Sequence, residues 1–125
     1  MMSGKSILVV EDNMDTYELV KFVLEKKGHA TFLAMNGREG VNAAIKQRPD
    51  LIIMDLAMPM MDGWIATETL KQNPLVKDIA IIALTAHALP DDRKRAFDAG
   101  INEYITKPMD IRKFLEIIEQ WLGRV

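Results

Sequence analysis

The sequence predicts an α/β protein built on a doubly wound parallel sheet. Short, nearly continuous apolar runs alternate five times with longer amphipathic stretches. Strands that are apolar on both faces are typical of a parallel sheet covered by helices, and repeated strand–helix alternation favours right-handed crossovers. The chain has 125 residues, the length of one domain, and no linker or repeat interrupts the pattern. We therefore expect one (βα)5 domain over residues 1–125 with no output domain.

Each element of this pattern has its own signal in the sequence. Apolar or alternating runs predict five strands, at residues 7–10, 30–34, 51–54, 79–84 and 104–106. Amphipathic stretches predict five helices, at residues 14–27, 37–47, 62–72, 90–99 and 110–122. Turn-forming residues separate them, namely Gly28, Pro49, Pro74 and Gly100, while Pro90 suits a first helical turn.

The composition excludes several classes of protein. Hydrophobic residues make up 49% of the chain and charged residues 27%, which is typical of a globular domain. The net charge of -2 gives no reason to expect a membrane partner or direct nucleic-acid binding. Without cysteine there is no disulfide framework or Cys-based zinc site. The four-residue apolar run at the N-terminus is far shorter than the ~7–15 residues of a signal-peptide core, and no later segment reaches the ~18 residues of a membrane span. We therefore expect a cytoplasmic protein.

Polar residues follow four of the predicted strands at the point where each strand ends. Glu11 and Asp12 follow the first strand and Asp55 follows the third. Thr85 follows the fourth, and Lys107 comes just after the fifth. Ligands of open parallel sheets bind at the carboxyl ends of the strands, near the point where strand order reverses. With the order 2-1-3-4-5, Asp12 and Asp55 face each other there, and we expect all five side chains in one site.

The residue types at this edge indicate phosphoryl chemistry with a metal ion. Three neighbouring carboxylates repel one another unless a cation lies between them. A donor set of oxygen atoms alone fits Mg²⁺, with Mn²⁺ also possible. A carboxylate can act as a nucleophile and form an aspartyl-phosphate. Lys107 and Thr85 could then bind the phosphoryl oxygens through a charge and a hydroxyl.

Four short motifs together resemble those of response-regulator receiver domains, and the resemblance covers essentially the whole chain. They are Glu11-Asp12, Asp55 with Met58-Pro59-x-x-Asp62-Gly63, Thr85-Ala86, and Tyr104-x-x-Lys107-Pro108. Each is weak alone, but they stand in order at the ends of four separate strands. The resemblance implies a flavodoxin-like receiver fold acting as a stand-alone switch of a two-component or phosphorelay system.

The resemblance also implies how such a switch is loaded. Asp55 would accept a phosphoryl group from a phosphohistidine on a sensor histidine kinase or a histidine phosphotransfer protein. Asp12 and Asp55 would bind Mg²⁺ directly, Glu11 through water, and Ala57 through its backbone carbonyl. The output would be contact with a downstream protein target. The only chemistry expected is self-catalysed phosphotransfer and autodephosphorylation, so we do not expect a conventional enzyme.

Further roles follow from the same resemblance. Thr85 and Tyr104 would form the conformational switch, with Tyr104 turning inward as Thr85 moves toward the phosphoryl group. The peptide bond before Pro108 would be cis. Ala57 and His87 would flank the path of the attacking water and so tune the lifetime of the phosphorylated state.

The last predicted helix carries two apolar stripes. The first should face the core and consists of Ile111, Leu115, Ile118 and Leu122. The second is displaced from it by roughly 90° and consists of Phe114, Ile117 and Trp121. Because this arc is wider than one sheet face needs, the second stripe is either packed against a neighbouring helix or a partner-binding face.

Other interpretations remain open for single residues and for the whole chain. Asp12 could simply cap the first helix, and Asp62-Gly63 could be only a turn that begins the third. The main alternative function is a pseudo-receiver, an interaction module that works without phosphorylation. An Mg²⁺-dependent phosphatase would need an acid where Ala57 stands. A nucleotide or flavin site would need a Gly-rich loop after the first strand, which is absent from the sequence.

Overall fold

The computed structural model describes residues 4–58 and 60–123, so Pro59 and the two chain ends lie outside the described residues. Within this part of the chain, strands and helices alternate in the order β1 Ser6–Val10, α1 Met14–Glu25, β2 Ala30–Ala34, α2 Gly37–Gln47, β3 Leu51–Met54, α3 Gly63–Lys71, β4 Ala80–Thr85, α4 Pro90–Ala99, β5 Glu103–Thr106 and α5 Ile111–Trp121. None of these helices combines the length and apolar character needed to cross a bilayer.

The five strands form one parallel sheet in the order β2-β1-β3-β4-β5, which confirms the predicted fold class. Strand β1 lies between β2 and β3, and the chain crosses over it to begin β3. Val10 pairs with Met54, so β1 and β3 end side by side. This register places the residues that follow the two strands next to each other at the switch point.

Both faces of the sheet are buried, as the apolar runs predict. All four residues of β3 are buried, because they point alternately into the two cores. Leu8 and Val10 face the layer of α2, α3 and α4, whereas Ile7 and Val9 face α1 and α5. The edge strand β2 is partly exposed, whereas β1, β3 and β4 are covered and can be reached by a ligand at their carboxyl ends.

Helix boundaries follow local hydrogen bonding. The side chains of Asn13, Asn36, Asp62 and Asp110 accept a bond from the third backbone N–H of their helices. Helix α1 ends at Glu25 rather than at the predicted residue 27. The N–H groups of Lys27 and Gly28 bond three residues back instead of four, which tightens the final turn before Gly28 at φ +87°.

The core-facing side of helix α5 combines residues from both predicted stripes instead of following the first stripe alone. Phe114 and Ile118 are fully buried, whereas Ile111 is 42% exposed. The prediction that Phe114 lies on a partner-binding face is therefore wrong. The prediction that Ile111 faces the core is also wrong. Both stripes are apolar, so helical periodicity cannot decide which one faces the sheet. Ile117 is half-buried and Trp121 is 38% exposed, so these two remain candidates for a partner surface.

Candidate functional site

The ends of β1 and β3 bring three carboxylates together. Glu11 and Asp12 follow β1, and Asp55 follows β3, with its N–H donating to the carbonyl of Val10 at 2.9 Å. One carboxylate oxygen from each acid lies within 4.8 Å of the others. Glu11 and Asp55 are buried, whereas Asp12 is exposed at the mouth of the site. The predicted acidic cluster is thus formed.

Asn13 resolves one alternative raised by the sequence. Its side chain, not that of Asp12, caps α1 by accepting from the N–H of Thr16 at 3.0 Å. The N–H of Asn13 in turn donates to a carboxylate oxygen of Glu11 at 3.1 Å. Capping is therefore assigned to Asn13, and the Asp12 carboxylate is left to the acidic cluster.

Lys107 supplies a positive charge to this cluster. Its Nζ lies 2.9 Å from Oε1 of Glu11 and 3.5 Å from Oδ2 of Asp55. The Lys107 N–H donates to the carbonyl of Thr85 at 2.8 Å, which fixes the lysine beside the end of β4. The peptide bond to Pro108 is cis, as the family resemblance implies.

The charges at the site are not balanced. The pKa of Glu11 is raised to about 7, mainly by burial and further by the charge of Asp55, while the hydrogen bond from Lys107 opposes this rise. Burial alone would lower the pKa of Lys107, but its hydrogen bond to Glu11 and the charges of the two acids raise it overall. Three carboxylates against one ammonium leave excess negative charge, which an added cation would relieve.

The loop between β3 and α3 is fixed at both ends. The N–H of Ala57 donates to Oδ1 of Asp55 at 3.3 Å, while the Ala57 side chain is exposed. Asp62 caps α3 by accepting from Ile65 N–H at 2.9 Å, so the turn and helix start is its structural role. The N–H of Gly63 donates to the carbonyl of Leu56 at 2.8 Å, which ties α3 to the loop that carries Asp55.

Gly63 cannot be enlarged without moving that loop. A Cβ at position 63 would lie 2.3 Å from the carbonyl oxygen of Asp55 and 2.6 Å from Cα of Leu56. Because backbone atoms cannot rotate away, we expect Gly63→Ala to cost at least about 3 kcal/mol, the upper end of overpacking penalties. Thermal unfolding should show a melting temperature lower by roughly 4 °C per kcal/mol.

Gly123→Ala is the control for Gly63→Ala, since nothing lies within 4 Å of a Cβ at position 123. Its only cost is the positive φ of +73° at the end of the described chain. Equal melting temperatures for the two variants would show that the close approach at Gly63 is easily relieved.

A chain of contacts leads from the site into the loop between β4 and α4. Thr85 is fully buried, and its hydroxyl accepts from the N–H of His87 at 3.3 Å. The Tyr104 hydroxyl donates to the carbonyl of His87, with the Tyr104 ring buried. Thr85 and Tyr104 are thus linked through one loop residue, His87, whose own side chain is exposed.

Trp64 is a residue of this region that the sequence analysis did not single out. Its indole Nε1 donates to the carbonyl of Asp92 at 3.2 Å, and its ring meets the His87 ring edge-to-face at 5.7 Å. Trp64 therefore connects the start of α3 to the first turn of α4. The sequence offers one signal for this role, the position of Trp64 directly after Asp62-Gly63. That signal is weak, because a tryptophan at the start of a helix is expected simply to pack in the core.

Comparisons with known proteins agree with this geometry. The response regulator receiver domain family matches residues 7–119. The polar-differentiation response regulator DivK of Brucella anthropi is 37% identical over 95% of this chain and 97% of its own length. Chemotaxis response regulator CheY4 of Vibrio cholerae has a TM-score of 0.88 at 25% identity, covering 95% of this chain and 99% of that one.

A further solved relative carries a metal ion in its site. The receiver domain of sensor histidine kinase PA1611 from Pseudomonas aeruginosa has magnesium coordinated in its active-site cleft. It is 36% identical, with a TM-score of 0.90, and the match covers 97% of this chain and 99% of that one. Relatives of this chain thus include both whole response regulators and receiver domains of histidine kinases. With its parallel sheet, its acidic cluster and its half-buried lysine, this chain belongs to the response-regulator receiver-domain family of two-component signalling.

Proposed function

We propose that this chain accepts a phosphoryl group on Asp55 from a phosphohistidine and thereby switches its contacts with a downstream protein. The donor would be a sensor histidine kinase or a histidine phosphotransfer protein. The observation that carries the proposal is the position of the Lys107 ammonium, 3.5 Å from the Asp55 carboxylate and 2.9 Å from Glu11. A carboxylate held beside a cation at the strand ends is suited to receiving a charged phosphoryl group.

The proposed transfer exchanges one P–N bond for one P–O bond. A carboxylate oxygen of Asp55 forms a P–O bond as the P–N bond of the phosphohistidine breaks. The electron pair of the broken bond returns to the imidazole nitrogen, which takes up a proton from solvent. Lys107 offers its ammonium to the phosphoryl oxygens, where charge is greatest in the transition state.

The acidic cluster fits a divalent cation. Its donors are all oxygen atoms that lie within 4.8 Å of one another, and the pKa of Glu11 is raised by burial and further by the charge of Asp55. We propose that Asp12, Asp55 and the Ala57 carbonyl hold Mg²⁺, with Glu11 acting through water. Mn²⁺ suits the same donors. The ion would neutralise charge on the phosphoryl oxygens.

A cleft beside Lys107 offers the donor a place to dock. It has a volume of about 510 Å³ and lies between α1 and the segment after β5. Leu19 and Met109 form part of its lining, and Leu19 is 42% exposed. An apolar cleft that reaches the ammonium would suit a partner helix carrying a phosphohistidine.

Thr85 and Tyr104 are proposed to carry the signal away from the site. The carbonyl of Thr85 accepts from the N–H of Lys107 at the end of β4, while the Thr85 hydroxyl accepts from the N–H of His87, whose carbonyl is bonded by Tyr104. A shift of Thr85 toward the phosphoryl group would move this loop and alter the surface near Ile117 and Trp121. A nucleic-acid partner and a membrane partner are not part of the proposal, and a cytoplasmic location remains a prediction.

Acetyl phosphate tests the proposal without requiring the natural donor. In the presence of Mg²⁺, intact-protein mass spectrometry should show the addition of one phosphoryl group, and EDTA should prevent it. A chain that binds Mg²⁺ but incorporates no phosphoryl group from acetyl phosphate or from a phosphorylated histidine donor would instead be a pseudo-receiver.

The lifetime of the phosphorylated state should depend on Ala57 and His87, which lie on exposed loops after β3 and β4. Ala57 offers the attacking water no hydrogen bond, whereas His87 can orient or obstruct it. We expect Ala57→Asn and His87→Ala each to change the hydrolysis rate about tenfold, or ~1.4 kcal/mol of barrier. Loss of radiolabelled phosphoryl group measures this rate. Ala88→Ser, on the same exposed loop, is the control, and hydrolysis rates equal to wild type in both variants would contradict the prediction.

A further inference from the structure

Helix α4 is only lightly attached to the rest of the domain. Ala96 is its one buried residue among those the structure describes in this helix. Two arginines on α4 lie instead over aromatic rings: Arg93 over Tyr104 and Arg95 over Trp64. The rings belong to different neighbouring elements, since Tyr104 is on β5 and Trp64 is on α3. Arginine–aromatic contacts therefore replace much of the apolar packing expected of a surface helix.

Arg93 covers the outer side of the Tyr104 ring. Its guanidinium carbon lies 5.2 Å from the centre of that ring and 5.4 Å from the centre of the Phe97 ring. The two rings are 6.3 Å apart and inclined by 31°. Tyr104 is left 7% exposed, and its hydroxyl donates inward to the carbonyl of His87. The ring is thus held from inside by a hydrogen bond and from outside by a cation.

The electrostatics of Tyr104 are consistent with this close approach. Burial raises the pKa of the phenol, the charge of Asp92 raises it further, and the charge of Arg93 lowers it. A guanidinium also stacks more readily on a ring than an ammonium does, because it is planar and more weakly hydrated. Arginine is accordingly well suited to this position.

We propose that Arg93 is a positioning residue that holds the Tyr104 ring in its buried position against the loop between β4 and α4. The importance of this contact for signalling rests on the switch role proposed above for Tyr104. The contact itself can be tested on the unphosphorylated chain. A failure of phosphorylation at Asp55 would therefore leave the test of Arg93 unaffected.

Fluorine NMR of the chain labelled with 3-fluorotyrosine measures the ring position directly. The sequence has two tyrosines, so Tyr17, buried on α1 at the opposite face of the sheet, gives an internal reference signal. In Arg93→Gln we expect the Tyr104 signal to move toward the value of solvent-exposed fluorotyrosine, with Tyr17 unchanged. A cation–π contact at an exposed site corresponds to a change of about two- to fivefold in the ratio of buried to exposed ring.

Arg95→Gln is the matched control. It removes the same charge from the same helix, but Arg95 lies 4.5 Å from the Trp64 ring rather than over Tyr104. The Tyr104 signal should remain at its wild-type position in this variant. Arg93→Lys, which keeps the charge without the planar group, should give an intermediate signal.

Two outcomes would overturn the assignment. A Tyr104 signal unchanged in Arg93→Gln would show that the hydrogen bond to His87 holds the ring without help. Equal shifts in Arg93→Gln and Arg95→Gln would show that the ring responds to the attachment of α4 as a whole. A melting temperature measured for each variant separates either result from loss of the fold.

Discussion

Asp55→Asn should reduce phosphoryl incorporation from acetyl phosphate to background. The amide keeps the size of the side chain but lacks the anionic oxygen that forms the new bond. Asp55 is the acceptor we propose, and it is buried at the end of β3 with Lys107 3.5 Å away. Intact-protein mass spectrometry and acid–base stability of the label would distinguish an acyl phosphate from a phosphoester.

Asp15→Asn provides the control for this experiment. Asp15 lies exposed in the first turn of α1, near the site but outside the acidic cluster. Its loss should leave incorporation unchanged. Incorporation that survives Asp55→Asn would place the acceptor elsewhere, whereas loss in both variants would indicate a general electrostatic effect near the cleft.

Removing the charge of Asp55 should also lower the pKa of its two neighbours, Glu11 and Lys107. The Asp55 carboxylate raises the pKa of Glu11 and of Lys107. Asp55→Asn therefore relieves repulsion in the acidic cluster, and the variant should be at least as stable as the wild type without metal. A stable but inactive variant separates loss of the nucleophile from loss of the fold.

The sheet and most of the site could be predicted from the sequence because their signals are local. Apolar runs such as Leu51–Met54 identify buried parallel strands, and the residues after each strand necessarily meet at one edge. The strand order alone was enough to predict that the side chains of Glu11, Asp55 and Lys107 meet in one site.

The features that escaped prediction depend on packing between elements. Phe114 and Ile117 both lie on the apolar arc of α5, and periodicity alone does not say that Phe114 is the one that faces the sheet. The contact between Arg93 and Tyr104 joins an exposed arginine on α4 to a ring on β5, and neither residue type signals it. Trp64 similarly acquires its role only when α4 packs against α3. The contacts of Arg93 and Trp64 lie beside Tyr104 and the start of α4, next to the residues proposed to form the conformational switch.

Lys107→Ala and Thr85→Ala should fail at different steps. Lys107 faces the acceptor carboxylate, so its loss should slow phosphoryl incorporation by about 10²-fold, the effect of removing one preorganised donor to transition-state charge. Thr85 lies one contact further away, with its hydroxyl bonded to His87. Its loss should slow incorporation by no more than about 2- to 13-fold, since one neutral hydrogen bond contributes only ~0.5–1.5 kcal/mol.

The second readout is the response of the loop between β4 and α4. In the wild type, phosphorylation or loading with beryllofluoride and Mg²⁺ should shift the fluorine signal of Tyr104, because Thr85 and Tyr104 share His87 as partner. Thr85→Ala should become loaded with little shift of this signal, and Thr85→Ser, which keeps the hydroxyl, should restore the shift. Lys107→Ala should lower both loading and response.

Two exposed residues on neighbouring elements serve as controls for these variants, Lys113 on α5 and Thr106 at the end of β5. Lys113→Ala and Thr106→Ala should match the wild type in both assays. The expected difference between the two site variants rests on their geometry, since Lys107 contacts the proposed acceptor Asp55 whereas the Thr85 hydroxyl bonds to the loop that is proposed to move. If Lys107→Ala and Thr85→Ala showed the same loading rate and the same Tyr104 response, one residue could not be assigned to transfer and the other to signalling, and the contact chain from Asp55 to Tyr104 would not be the path of the switch.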